Sequence, residues 1–119
     1  FLYHIGFIVG QKTYESQSEI VRKAHGGIKE TILLAEEIFK QIGFGGLKVP
    51  ELDLLNKRAA IKIHDSFECE LFKGSKVPES HFIRGLIAGF LTPLFRIKVS
   101  AFEAECIAKG DPYCLFLIR

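Results

Sequence analysis

Ile97-Lys-Val-Ser-Ala-Phe-Glu-Ala-Glu-Cys-Ile-Ala-Lys-Gly-Asp-Pro-Tyr-Cys-Leu-Phe-Leu-Ile118 is the stretch around which the rest of the chain can be organised. Apolar residues alternate at Ile97, Val99 and Ala101, then resume on the opposite parity at Phe102, Ala104 and Cys106, a change that a β-bulge near Ala101 would produce. Lys109-Gly-Asp-Pro112 has turn chemistry, and Cys114 to Ile118 returns as a final strand. With the turn centred on Gly110, Cys106 and Cys114 stand opposite each other on one face of an antiparallel hairpin. Opposed Cβ atoms lie about 4.5 to 5.5 Å apart, near enough for two thiolates to share one zinc ion at about 2.3 Å each. Glu103, just beyond the bulge, can turn its carboxylate to the same point. A fourth donor is then needed, and Cys69, His81, His64 or a water are the candidates. A Cys106–Cys114 disulfide or two buried thiols would fit the same spacing, because Cys-x7-Cys is less specific than paired Cys-x2-Cys knuckles.

Upstream of this hairpin, Leu2, Ile5 and Val9 have helical spacing, against which Gly6 and Gly10 count. Ser16-Gln-Ser-Glu19 has the form of a capping box and predicts the start of a long helix. That helix carries a stripe at Ile28, Ile32, Ala35, Phe39 and Ile42, a kink or break at Gly26-Gly27, and a stop at Gly43. From Gly45 the period becomes two. Leu47 and Val49 precede Pro50, Leu52 and Leu54 follow it, and Asn56-Lys57 makes the turn. A second strand places Ile61, Ile63, Phe67 and Cys69 inward, with Lys62, Glu68 and Glu70 outward. After a polar loop at Lys73–Ser75, Pro78 opens a helix running to about Phe95. Its small residues Gly85, Ala88 and Gly89 predict close packing on a sheet, beside the bulk of Phe82, Leu86, Ile87, Phe90 and Leu91. The order of elements predicts an α+β fold, two-layered, with helices packed on an antiparallel β-sheet.

At 119 residues the chain has room for one core and reads as a single domain, residues 1–119. It opens at Phe1 without a Met, directly into an apolar run, as a piece lacking its natural N-terminus would. A net charge of +2 without a basic stripe argues against direct nucleic-acid binding, and no apolar run approaches the roughly 20 residues of a membrane span. Three cysteines are an odd number, too few for a disulfide framework, which with no signal peptide fits a reducing cytoplasm. There is no Gly-x-Gly-x-x-Gly cradle for a hydride donor. Nor do His4, His25, His64 and His81 have a patterned nucleophile or carboxylate, so no catalytic residue is assigned. Eleven phenylalanines exceed what a plain core needs; they can line an apolar pocket or cover an oligomer interface.

Three segments together carry a family resemblance: Ser80-His-Phe-Ile-Arg-Gly-Leu-Ile-Ala-Gly-Phe90, Glu103-Ala-Glu-Cys106 and Gly110-Asp-Pro-Tyr-Cys-Leu-Phe116. With Ile63-His-Asp-Ser-Phe-Glu68 and the opening Leu2-Tyr-His-Ile-Gly6, the chain resembles the 4-vinyl-reductase (4VR) domain family along most of its length. The resemblance implies a fold shared with subunits of vesicle-tethering complexes and with sensor domains of aromatic-responsive activators, which bind small hydrophobic molecules. It also implies zinc held by the equivalents of Glu103, Cys106 and Cys114 and by a cysteine at the position of Ser80. A serine hydroxyl is a poor zinc ligand, so neighbouring His81 is the expected substitute. The leading expectation is a sensor or binding domain for a small hydrocarbon-like or aromatic molecule, its pocket formed near Phe82, Leu86, Phe90 and Phe102. The alternatives are a reductase-related enzyme of tetrapyrrole metabolism and an assembly module, a homodimer joined through apolar helices.

Overall fold

The computed structural model describes residues 1–71, 73–75 and 80–119. It is an α+β fold, with helices on one face of a four-stranded antiparallel sheet in the order β1-β2-β4-β3. The first helix, α1 (Leu2–Lys23), runs unbroken through Ser16–Glu19, so no helix starts there. Within it Ser18 Oγ donates to the Glu15 carbonyl at 3.3 Å. The break falls at the two glycines. His25 takes a left-handed φ of 62°, and Gly27 opens α2 (Ile28–Gln41), its amide donating to Glu30 Oε1 at 2.8 Å. Gly43 ends the helical run with a φ of 82°.

β1 (Gly46–Asp53) pairs with β2 (Arg58–His64), and the register slips between Lys48 and Glu51, where Pro50 has no amide to give the ladder. β2 is central because β4 (Cys114–Ile118) pairs with its other edge. Its Ile61 and Ile63 are buried under the helices. The strand does not continue to Cys69 as the alternation suggested. Asp65 turns left-handed with a φ of 55°, and Phe67–Glu70 form a single helical turn, α3. Cys69 is still buried, while Glu68, expected on the solvent face, is buried too.

The start expected at Pro78 lies outside the described residues; α4 is described over His81–Phe95. Its small residues pack on a helix rather than on the sheet. A Cβ at Gly85 would collide with the Tyr3 carbonyl and one at Gly89 with the Phe7 carbonyl. A Cβ at Gly6 or Gly10 would likewise collide with the carbonyls of Phe82 and Leu86. Contacts that advance together along both chains make α1 and α4 parallel, with backbones touching through glycines four residues apart on each helix. The glycines that weaken α1 locally are therefore what lets it dock. The opposite side of α4, with Ile83, Ile87, Leu91 and Phe95, enters the core against Ile63, Phe116 and Ile118.

β3 (Ala101–Glu105) pairs with β4, and its bulge lies between Glu103 and Glu105, later than the alternation placed it. Cys106 follows the strand rather than pairing within it, and begins a 3-10 turn, Ile107–Lys109, closed by Gly110 at a φ of 111°. Among the described residues no helix is long and apolar enough to cross a membrane.

Candidate functional site

Two interior features flank the first turns of α4. The first is a buried cluster of Cys69, Glu103, Cys106 and Cys114, whose ligand atoms all lie within 4.8 Å of one another. Each comes from a different local device. Cys114 opens β4 opposite Ile63 of β2, and Glu103 occupies an inward position of β3. Cys106 is brought back by the 3-10 turn: its amide donates to Asp111 Oδ2 at 2.8 Å and its carbonyl accepts from Lys109 and Asp111. Cys69 arrives on α3, whose first amide, from Phe67, donates to the Phe44 carbonyl at 3.2 Å.

Cys69 Sγ lies 3.1 Å from Cys114 Sγ and 3.3 Å from Cys106 Sγ, and all three cysteines are free thiols. Ser80 stands at the edge of the cluster, its Oγ 2.7 Å from Cys69 Sγ and its amide donating to Glu103 Oε1 at 3.1 Å. Thus α3 delivers a sulfur beside the position where the resemblance led us to expect a cysteine. His81 is exposed on the first turn of α4 and is not a member of the cluster, nor is His64, whose ring lies 5.6 Å from that of Tyr113.

The electrostatics are those of several acids confined together. Hydrogen bonding with Cys114, and then with Ser80 and Cys106, draws the Cys69 thiol down to about 5 despite burial. Its partner Cys114 is pushed up, first by that same bond and then by desolvation. Burial also raises Glu103, opposed by its bonds with Ser80. Glu103 Oε2 is buried and has no hydrogen-bond partner among the described residues. A buried carboxylate oxygen without a donor beside three sulfurs is an arrangement that a cation completes. By geometry and donor chemistry the cluster can hold a metal ion.

The second feature is a cavity of about 290 Å³ between the helices and the sheet. Phe82, Leu86 and Phe90 of α4 face it, as do Ile32, Ala35 and Phe39 of α2 and Leu47, Val49 and Ile61 of the sheet. Phe102, expected beside these, is 56% exposed and does not line the cavity. Val9, Thr13 and Gln17 of α1 complete the wall. Sequence reasoning passed over Thr13 and Gln17 because polar residues on a helix read as surface; their step of four from Val9 was the available sign. It also missed Glu68, which accepts the amides of Phe82 at 2.9 Å and Ile83 at 3.1 Å and so ties the turn carrying Cys69 to the start of α4. A serine followed by acidic residues, Ser66 to Glu70, is a helix-start pattern that could have revealed this turn.

Several known proteins resemble this chain. Uncharacterized protein MJ1460 of Methanocaldococcus jannaschii is 32% identical over 84 residues, which are 71% of this chain and 52% of that protein. Uncharacterized protein MJ0150 of the same organism is 35% identical over 83 residues, covering 70% and 47%. The chain thus spans about half the length of the curated relatives it matches. Among solved structures, a vinyl-4-reductase family protein from M. jannaschii superposes with a TM-score of 0.74 at 26% identity, over 100% of this chain and 67% of that one. The phenol-responsive sensory domain of the transcription activator PoxR, solved with phenol, gives a TM-score of 0.83 at 16% identity, over 98% and 61%. Subunit 3 of a trafficking protein particle complex from Naegleria fowleri, covalently bound to palmitic acid, gives 0.64 at 21%, over 99% and 76%. At those identities the last two show a shared fold. The vinyl-4-reductase (4VR) domain model matches residues 59–119, from β2 through the cluster to the last residue, and the chain belongs to that domain family.

Proposed function

We propose that this chain is a binding or sensor domain for a small hydrophobic molecule, hydrocarbon-like or aromatic, and that a zinc ion on Cys69, Glu103, Cys106 and Cys114 braces the hairpin beside the ligand site. The cavity carries the ligand reading. Protein interiors are packed to about the density of organic crystals, so apolar space of about 290 Å³ marks a place for something other than the chain itself. An engineered apolar cavity of roughly 150 Å³ takes up benzene, and this one has room for a larger ring system. Phenol in the PoxR sensory domain and palmitic acid on the trafficking subunit support the reading, being apolar molecules held by the same fold. For the metal, three soft sulfurs and one carboxylate oxygen match the tetrahedral donor preference of zinc, with Cys69 doing what Ser80 cannot. Such a closed four-ligand ion is structural: it fixes the turns that carry its ligands.

Naphthalene titrated into the protein tests the cavity. It should saturate wild type, and Ala35→Phe, which fills the space from α2, should abolish binding while the melting temperature stays the same or rises. Undiminished saturation in that variant would remove the cavity as the binding site.

A further inference from the structure

The cavity is apolar except along α1. Val9, Thr13 and Gln17 step by four on that helix and share the face turned inward. Gln17 is only 6% exposed, and its Oε1 is buried with no hydrogen-bond partner among the described residues. A buried amide oxygen is seldom left in that state, because losing water costs free energy that only another donor returns. A leucine would cover the same wall without that cost. The glutamine is therefore unexplained by packing and aims an acceptor at space that the protein does not fill.

We infer that Gln17 is the ligand-orienting residue, and that the ligand is an apolar molecule bearing a single hydroxyl, which donates to Gln17 Oε1. This rests on the ligand-binding reading above and narrows it. The body of the molecule lies against Phe82, Leu86 and Phe90 on the facing helix. Thr13, one turn before Gln17, keeps the polar end on the α1 wall. A second polar end would be buried against Leu47 and Ile61 without a partner, so molecules polar at both ends are disfavoured. An ionised carboxylate is disfavoured as well: it brings no donor for Oε1, and no charged side chain is among the described lining residues.

The test compares 2-naphthol with 2-methylnaphthalene, in which a methyl replaces the hydroxyl at similar size. The quantity read is the ratio of their dissociation constants, which removes the difference in how the two leave water. Between wild type and Gln17→Leu, the preference for 2-naphthol should fall about tenfold or more, with 2-methylnaphthalene bound no more weakly. Gln17→Met, unbranched and of similar volume, should give the same fall and serves if the leucine variant folds poorly. Melting temperatures at or above wild type are expected for both, since an unsatisfied acceptor is removed. An unchanged ratio, with both probes still excluded by Ala35→Phe, overturns the role of Gln17 and leaves the cavity standing. Failure of either probe to saturate wild type overturns both.

Discussion

The two interior features beside α4 are deficient in opposite ways. The cavity lacks atoms, because its walls are largely apolar and have nothing to pack against. The thiol cluster is crowded and lacks positive charge: sulfurs approach to 3.1 Å, and a carboxylate raised by burial keeps one oxygen without a donor. Empty apolar space costs only the dispersion its lining forgoes, so it tolerates being filled. Confined acids tolerate nothing but a cation, because each ionisation opposes the next and no water screens them. The same helix turn serves both. Ser80 donates its amide to Glu103 on one side, while Phe82 and Leu86 face the cavity on the other.

The contrast predicts that losing the cation does more damage than any change at the cavity. Wild type should carry about one zinc per chain by elemental analysis, and Cys106→Ser, Cys114→Ser and Cys69→Ser should each lose it. Loss of the ion, by mutation or by a chelator, should cost more than about 3 kcal/mol of stability in denaturant titrations, since metal-binding free energy becomes folding free energy. The sharpest variant is the double change Cys69→Ser with Ser80→Cys. Because Ser80 Oγ lies 2.7 Å from Cys69 Sγ, a sulfur moved to position 80 should restore metal content. Equal metal content in all variants, or none in wild type, would leave three buried thiols and no site.

Next in size is the helix pair that walls the cavity. Gly85→Ala would press a methyl onto the Tyr3 carbonyl and the Phe7 amide, backbone groups that cannot rotate away, so α1 must lift from α4. Overpacking of this kind costs about 1–3 kcal/mol. A lower denaturant midpoint with unchanged slope, together with weaker naphthalene binding, is the expected result. Gly46→Ala is the control: its nearest non-neighbour is His64 Cβ at 4.0 Å, and it should stay within about 0.5 kcal/mol of wild type.

These glycines also mark where the sequence misleads. Period and turn chemistry were enough to read layered helices on an antiparallel sheet, and they read Glu103, Cys106 and Cys114 as convergent because the turn at Gly110 dominates that hairpin. The bulge moved and Cys106 left the ladder, yet the 3-10 turn returned its sulfur to the same place. Gly6 and Gly10 counted against a helix because propensity is local, whereas their use is a contact with residues some eighty positions later. Residues 67–70 followed strand alternation because one turn of helix is too short to show a period, although Cys69 is inward on either reading. Gln17 had no local mark at all: its meaning lies in the space it faces.

The smallest expected effect probes the link between the two regions. Glu68 accepts two amides at the start of α4, where the helix dipole favours a negative group, although burial pushes its pKa up. Glu68→Ala removes both bonds and should cost about 1 kcal/mol, as loss of a cap does, and Glu68→Gln, which keeps one acceptor oxygen, should cost less. The useful readout is which region responds. If zinc holds α3 through Cys69, the metal content of Glu68→Ala should remain about one per chain, and only the turn carrying Phe82 should loosen, weakening naphthalene less than tenfold. A fall in zinc with naphthalene binding unchanged would reverse that order and make Glu68, rather than the ion, the group that fixes α3.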